Sequence, residues 1–393
     1  MPAVYEENLQ FRRGTNVNVF SRRMLLRKVL QSVGAIALLR AENPGADGST
    51  ASSAGELNLN EMIRPVPRSA VLEMEDWFVW GGSMVRSADG TCHLLFSRWP
   101  RELGMRGWVT HSQIARASAD DPLGPYEFQD VALETRGGEY WDGHVTHNPN
   151  VRKFGDKYYL YYNGNRGHAG KHEVGRKSRQ EWWTHRNNQR VGVAVAEHPA
   201  GPWQRFDEPL LDVGPWKWNG LITTNPSVAR NDKGEYLLVY KTVATAPAED
   251  MPFGGKVTHG VASSSRPAGP FEKHPEPIFT HPTASFPAED PYVRFLHGRY
   301  WAIVKDQEGY FVESETQQLV LFESEDGLNW KLAKHPLVTK PCIRWADGDL
   351  QKVPRLERPQ LYVEDGVPRV LFAAVRPTQG KSFNVHLPLE EMD

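Results

Sequence analysis

The chain has 393 residues, and its 46 Lys and Arg against 48 Asp and Glu leave a formal charge of −2. That balance excludes the broad basic surface that nucleic acid or an anionic membrane requires, and no apolar run reaches the roughly 18 residues of a membrane span. Two cysteines, Cys92 and Cys342, exclude a disulfide framework or a Cys-based zinc site. With 34 Gly, 29 Pro and 11% aromatic residues, the composition predicts many short strands and turns around an apolar core, not a helical bundle or a disordered chain.

Taken from the N-terminus, Ser21-Arg22-Arg23-Met24-Leu25-Leu26-Arg27 precedes the apolar stretch Val29–Leu39. This basic-then-apolar order resembles a twin-arginine export signal, which implies a periplasmic or secreted protein. Arg40 follows the apolar stretch directly and no Ala-x-Ala site appears; the alternative is a basic extension on a cytoplasmic protein. The Gly-, Ser- and Ala-rich segment 43–55 reads as a linker. Residues 1–60 are thus assigned to an extension and 61–393 to the folded domain.

Two sequence units then alternate along the body. The first is an Xaa-Pro with a short strand, a polar turn and an aromatic-rich strand. It occurs as Asn148-Pro149 before Lys157–Tyr162, Asn225-Pro226 before Glu235–Tyr240, Asp290-Pro291 before Arg299–Val304, and Arg358-Pro359 before Arg369–Phe372. A degenerate copy without proline, Gly82–Val85 before Cys92–Phe96, comes first. The intervening turns Asp89-Gly90, Gly155-Asp156, Asp232-Lys233-Gly234, His297-Gly298 and Asp365-Gly366 have hairpin chemistry. The second unit ends in Gly-Pro-aromatic, at Gly124-Pro125-Tyr126, Gly201-Pro202-Trp203 and Gly269-Pro270-Phe271, with Gly327-Leu328-Asn329-Trp330 as a variant. Successive Xaa-Pro prolines lie 77, 65 and 68 residues apart. Each period holds two hairpins, enough for one four-stranded sheet, and five periods predict an all-β, five-bladed β-propeller.

In a propeller the innermost strands line a central channel, so residues at the start of those strands meet at one mouth. The sequence places there Asp76, Trp80, Trp141, Asp142, His144, His147, Asn148, Asn219, Asn225, Glu289, Asp290, Glu357 and Arg358. Carboxylates forced together have their pKa values pushed apart, so that one stays protonated while another stays ionised. Glycosidic bond cleavage needs that division of labour. Trp faces suit sugar C–H groups, and amides suit hydroxyls. Simpler roles compete at several positions: Asp142 as a turn residue, Asn148 and Asn225 as Asx-turn braces, Glu289-Asp290 in a salt bridge to Arg294 or Arg299, Glu357-Arg358 as an ion pair. Trp182-Trp183, in a basic stretch read as a loop over 171–190, either rim the pocket or pack on the surface. His144 and His147, three apart with no third ligand in sequence, do not make a metal site.

The motifs Trp141-Asp142-Gly143-His144, Thr146-His147-Asn148-Pro149, Thr223-Thr224-Asn225-Pro226, Ala288-Glu289-Asp290-Pro291, Val304-Lys305-Asp306 and Leu356–Leu361 resemble those of the five-bladed propeller glycoside hydrolases of families 43, 32 and 117. The resemblance runs from about Glu73 to Arg376. It implies three pocket carboxylates, as base or nucleophile, acid, and pKa-tuning orienter. Asp290 matches the acid-bearing motif and Asp76 is the nearest acid to the first-blade position. The chain departs from the pattern where Gly81-Gly82 replaces the usual Asp-Pro of blade one, and where Asn148 and Asn225 stand in blades two and three.

These readings together predict an exo-acting glycoside hydrolase removing a terminal sugar from an oligo- or polysaccharide. Asp76, Asp142, Glu289, Asp290 and Glu357 are the candidate acids. Trp80, Trp141, His144, His147, Asn148, Asn225, Lys305 and Arg358 are the candidate substrate-binding residues. No cofactor is implied, there being no phosphate-binding motif in a suitable context; a structural cation in the channel remains compatible. Two alternatives stand beside it: a glycoside phosphorylase, for which Arg98, His144, His147, Lys305 and Arg358 would supply an anion site, and a non-catalytic carbohydrate-binding propeller.

Overall fold

The turn residues foretell where the hairpins close. His297 and Gly298 both take positive φ (52° and 76°), as do Asp365 and Gly366 (50° and 80°), the backbone that lets a two-residue turn follow the twist of its strands. In the computed structural model, which describes residues 56–137, 139–167, 179–248 and 254–391, such hairpins build five four-stranded antiparallel sheets among the described residues. Blade 1 comprises Trp77–Arg86, Cys92–Pro100, Gln113–Ala119 and Glu127–Leu133. Blade 2 comprises Val145–Phe154, Lys157–Asn165, Arg190–Ala196 and Gln204–Arg205. Blade 3 is Ile222–Arg230, Tyr236–Val243, Val257–Ser264 and Glu272–Lys273, and blade 4 is Ala288–Leu296, Arg299–Asp306, Gln318–Ser324 and Lys331–Thr339. Blade 5 takes Arg355–Glu364, Val367–Arg376 and Phe383–Pro388 from the C-terminal part of the chain, and its outer strand, Val71–Leu72, from ahead of blade 1. That last pairing, Val71 opposite Val385, closes the ring by joining the first and last described strands in one blade and leaves only a two-residue outer edge. The predicted five-bladed propeller is therefore the observed fold.

The core lies between blades. Val85, Leu95 and Ile114 of blade 1 pack on Val151, Tyr158 and Leu160 of blade 2. Tyr161 and Val193 meet Val228 and Leu238 at the next seam, and Val239 and Val261 meet Val293 and Val304 at the third. Ile303 and Leu321 pack on Leu371 and Val385, and Phe372 packs on Leu94 and Phe96 to complete the circle. Strands buried on both faces explain why their sequences are continuous apolar runs instead of alternating ones. Leu57, Leu59 and Met62, around the short helix Leu59–Met62, join the seam between blades 4 and 5, so the packed body takes in residues ahead of position 61. The basic segment proposed for export lies outside the described residues.

One local device repeats in every blade and positions the site. In each inner strand the ladder skips: Trp80 pairs with Ser97 but Ser83 with Leu95, and the same two-against-one register occurs at His147/Asn150, Thr224/Ser227, Glu289/Tyr292 and Glu357/Gln360. The first bulged residues are Gly81, Asn148, Asn225, Asp290 and Arg358, all at positive φ (54°, 53°, 53°, 56° and 58°). A proline follows in four of the five, and its missing N–H is no loss where the ladder is already interrupted. The Xaa-Pro repeat is thus a conformational signature: a β-bulge that turns the side chain of its first residue toward the channel in four of the five blades.

Candidate active site

The bulge residues form a hydrogen-bonded ring. Asn148 Nδ2 donates to Asn225 Oδ1 at 2.8 Å, and Asn225 Nδ2 donates to Asp290 Oδ1 at 2.8 Å. From the other side Arg358 Nη1 donates to the same Asp290 oxygen at 3.3 Å. Gly81, the fifth member, contributes no side chain. Asn148, Asn225, Asp290 and Arg358 are all at least nine-tenths buried.

Beyond the ring the channel is filled. Gln360 Oε1 accepts from Ser83 Oγ at 3.3 Å and from Asn150 Nδ2 at 2.7 Å. Arg152 donates to the carbonyls of Val228 and Val293, each at 3.0 Å, and to Tyr292 Oη at 3.3 Å. This network ties the inner strands together, with every member buried. Buried polar side chains thus occupy the inner strands beyond the ring.

One residue earlier in each inner strand stand Trp80, His147, Thr224, Glu289 and Glu357. Here the charges concentrate. Lys305 Nζ donates to Glu289 Oε2 at 2.7 Å and also to Glu357 Oε2, and Lys241 Nζ donates to Glu289 Oε1 at 2.5 Å. Gln307 Nε2 reaches Glu289 Oε2 at 3.0 Å, and Arg355 Nη1 lies 3.4 Å from Glu357 Oε1. Burial opposes the charge of Glu289, but the Lys241 and Lys305 ammonium groups outweigh it and hold that carboxyl well below its ordinary range. Asp290 moves the other way: burial, then the negative charge of Glu289, raises it, against the pull of Arg358 and Lys305. Burial disfavours the Lys305 ammonium, yet Glu289 and Glu357 raise its pKa above the usual lysine value. Adjacent acids with pKa values driven apart are the division of labour expected of an acid and its ionised partner.

Glu289, Asp290 and Glu357 can each offer an oxygen within 4.8 Å of the others, a spacing that would admit a cation. Lys305, 4% exposed, already serves two of them, so the charge a metal would supply is supplied by an ammonium group. His147 closes another side: its Nδ1 is 2.7 Å from Ser112 Oγ, its ring stacks on Trp108 at 4.9 Å, and burial, then Arg358 and Lys241, keeps it neutral. Trp80 is buried edge-on to Trp99 in the same quarter.

The structure therefore brings together Trp80, His147, Asn148, Asn225, Glu289, Asp290, Lys305, Glu357 and Arg358. It does not bring the other candidates to the ring. Asp142 is fully buried in blade 2, accepting from Arg136 Nη2 at 2.6 Å, Tyr162 Oη at 2.7 Å and Arg205 Nη1 at 3.3 Å. Trp141 stacks on Tyr162 at 5.7 Å, and Gly164 and Gly192 make room: a Cβ on Gly192 would lie 2.5 Å from the Trp141 ring. This pair fastens a loop onto a blade. His144 accepts from the Gly167 N–H at 3.0 Å, with its ring 5.6 Å from His185. Asp76 is exposed, five residues ahead of Gly81, whereas Glu289 is one residue ahead of its bulge. Asn219 sits in a short turn, its Oδ1 accepting from the Trp216 N–H. Trp182 and Trp183 lie not on a loop but on the helix Arg179–Asn187, where Trp182 Nε1 donates to the Arg106 carbonyl at 3.1 Å.

Sequence reading overlooked Lys241, Arg355, Gln307 and the empty fifth ring place as a feature in itself. Lys241 was legible: it lies near the end of the second strand of blade 3, at the register place that Lys305 holds in blade 4. Arg355 and Gln307 carry no repeat signal.

No family model and no curated protein sequence matches this chain. Solved structures do. Zg3597, a family 117 glycoside hydrolase produced by the marine bacterium Zobellia galactanivorans, is 15% identical, with 85% of this chain and 94% of that one covered and a TM-score of 0.55. A structure described as a glycoside hydrolase is also 15% identical over 85% and 94%, with a TM-score of 0.62. A thermostable family-43 glycoside hydrolase is 13% identical over 84% and 93%, with a TM-score of 0.54. At these identities the likeness is one of fold: this chain has the five-bladed β-propeller fold found in glycoside hydrolases of families 117 and 43.

Proposed function

We propose that the protein is a glycosidase that removes a terminal sugar from an oligo- or polysaccharide in the propeller pocket. The observation that carries this reading is the pair Glu289-Asp290, adjacent acids at one pocket with pKa values moved in opposite directions. Asp290, kept protonated more readily by burial, would give its proton to the leaving glycosidic oxygen. Glu289, held ionised by two ammonium groups, would face the positive charge that develops on the sugar ring. The buried polar network of Arg152 and Gln360 beyond the ring supports a site closed on that side and so action on a chain end. The glycoside hydrolase neighbours of the same fold support the class of substrate. The basic Arg22-Arg23 stretch ahead of Val29–Leu39 supports export to the periplasm or beyond.

One observation favours a second reading. Oxygens of Glu289, Asp290 and Glu357 lie within 4.8 Å of one another, closer than the roughly 6.5–9.5 Å of inverting hydrolysis and nearer the roughly 5–5.5 Å of a retaining pair. The ring place of blade 1 is also a glycine. A free oxyanion needs no base to activate it, so phosphorolysis fits this arrangement as well. The test is a screen of aryl-glycosides and plant and algal oligosaccharides with and without phosphate, using wild type and Asp290→Asn. Release of a free monosaccharide without phosphate, lost by at least about 100-fold in Asp290→Asn, is the expected result. Turnover only with phosphate would replace hydrolysis by phosphorolysis, and a fully active Asp290→Asn would remove Asp290 from the mechanism.

A further inference from the structure

Arg358 is 2% exposed, and only one of its three nitrogens is accounted for: Nη1 donates to Asp290. Its Nε and Nη2, which together form the side edge of the guanidinium, are buried with no acceptor. On the other side of the same gap Asn148 Oδ1 is buried with no donor. Both orphans face the place where blade 1 has a glycine. A Cβ on Gly81 would lie 3.5 Å from Arg358 Nε and 3.5 Å from Asn148 Oδ1, at ordinary contact distances. The gap is the volume of the side chain that every other blade supplies. A guanidinium does not lose its proton, and leaving its fork without an acceptor away from water is costly. The Nε/Nη2 edge fits two oxygens of a planar or tetrahedral oxyanion side by side.

We propose that the notch at Gly81 is an oxyanion subsite, in which two oxygens of a bound anionic group accept from Arg358 Nε and Nη2 while a hydroxyl of the same ligand donates to Asn148 Oδ1. The inference rests on the glycosidic reading above for the molecule that carries or meets the anion. Two sources present this chemistry: the carboxylate and neighbouring hydroxyl of an acidic sugar, or hydrogen phosphate with its own P–OH. The surroundings suit either, since Lys241, Lys305, Arg355 and Arg358 contact the three carboxylates Glu289, Asp290 and Glu357 and the buried Arg186 adds its charge near Glu289, so positive charge is in excess.

The experiment measures binding without turnover, by calorimetry and thermal shift on the full chain, with inorganic phosphate, galacturonate, glucuronate and the neutral sugars galactose and glucose. Saturable binding of an oxyanion, with neutral sugars at least about tenfold weaker, is expected. Gly81→Asp places a carboxylate in the notch at a φ that Asn and Asp tolerate and that Asp290 already holds. It should raise Tm without ligand and abolish the anion response. Arg358→Lys keeps the charge but not the fork, and should weaken the anion at least about tenfold; it carries the test alone if Gly81→Asp does not fold. A response to phosphate alone assigns the notch to a free oxyanion, and a response to uronates assigns it to the substrate. Absence of any oxyanion binding, or binding unchanged in both variants, overturns the proposal. A protein that binds the oxyanion and cleaves no glycoside would instead overturn the enzymatic reading and leave the subsite standing.

Discussion

Lys305 offers the sharpest test of how the charged cluster is held. Its ammonium group is 4% exposed and bonds Glu289 and Glu357, which are themselves 19% and 5% exposed. Lys305→Met keeps the stem's volume and removes the charge. Taking one partner from a buried ion pair costs about 3–5 kcal/mol. Lys241 still holds Glu289 at 2.5 Å and Arg355 lies 3.4 Å from Glu357, so the lower end, about 3 kcal/mol, is expected at pH 8. The sign with pH follows from linkage. In the variant the buried Glu289 loses one of the two ammonium groups that hold its carboxyl well below the ordinary range, so folding favours its charged form less. Stability tied to a depressed carboxyl is present above its unfolded value of about 4.3 and lost as pH falls, so the deficit against wild type should be full at pH 8 and smaller at pH 4. Urea midpoints followed by tryptophan fluorescence at both pH values measure it. Lys305→Met/Glu357→Gln, which removes both members of a pair, should recover at least half of the loss. A deficit under about 1 kcal/mol at pH 8, or one independent of pH, would refute the claim that this ammonium group is what keeps the carboxylates ionised.

Asp142→Asn should lower stability by about 3 kcal/mol in urea denaturation, since Arg205 would lose its carboxylate and Arg136 would keep only the exposed Asp207, while turnover per folded molecule stays within about twofold. Loss of turnover without loss of stability would return Asp142 to the list of catalytic acids. Arg152→Met leaves the carbonyls of Val228 and Val293 unpaired beyond the ring and should cost about 2–4 kcal/mol by the same assay. Acid should unfold the protein early. Burial lowers His93 and His386 to about 4, His259 to about 3, and His147 well below its ordinary value, so each is neutral when folded and charged when unfolded. Groups of this kind contribute stability above the unfolded pKa of about 6.5 that is lost as pH falls. Calorimetric unfolding at pH 5.5 in several buffers should therefore show an uptake of roughly three to four protons, and an uptake near zero would contradict the burial of these rings.

Much of this architecture was legible from residue types at repeat positions. Asn148, Asn225, Asp290 and Arg358 each precede a proline at similar spacing, and a proline near an inner-strand start marks a place where the ladder is interrupted, as at a bulge. Glu289, Glu357 and His147 came with them as the residues one place earlier. Asp142 and Trp141 were misleading because Trp-Asp-Gly just ahead of an inner strand looks the same whether it faces the channel or folds back on Tyr162 and Arg205. Trp182 and Trp183 carried no periodicity long enough to distinguish a nine-residue helix from a loop.

The sequence by itself determined the fold class, the number of blades and the five places that meet at the channel, because turns, bulges and strand periods are local and recur with every copy. Only the tertiary structure decided what those places do together. Which acid is neutralised by which ammonium, how Asp290 and Glu289 are driven apart, and that Gly81 leaves Arg358 with an unused edge all depend on contacts between residues 16 to 277 positions apart, from Lys305 with Glu289 to Ser83 with Gln360. Burial and charge are properties of that assembled pocket, and no stretch of chain carries them alone.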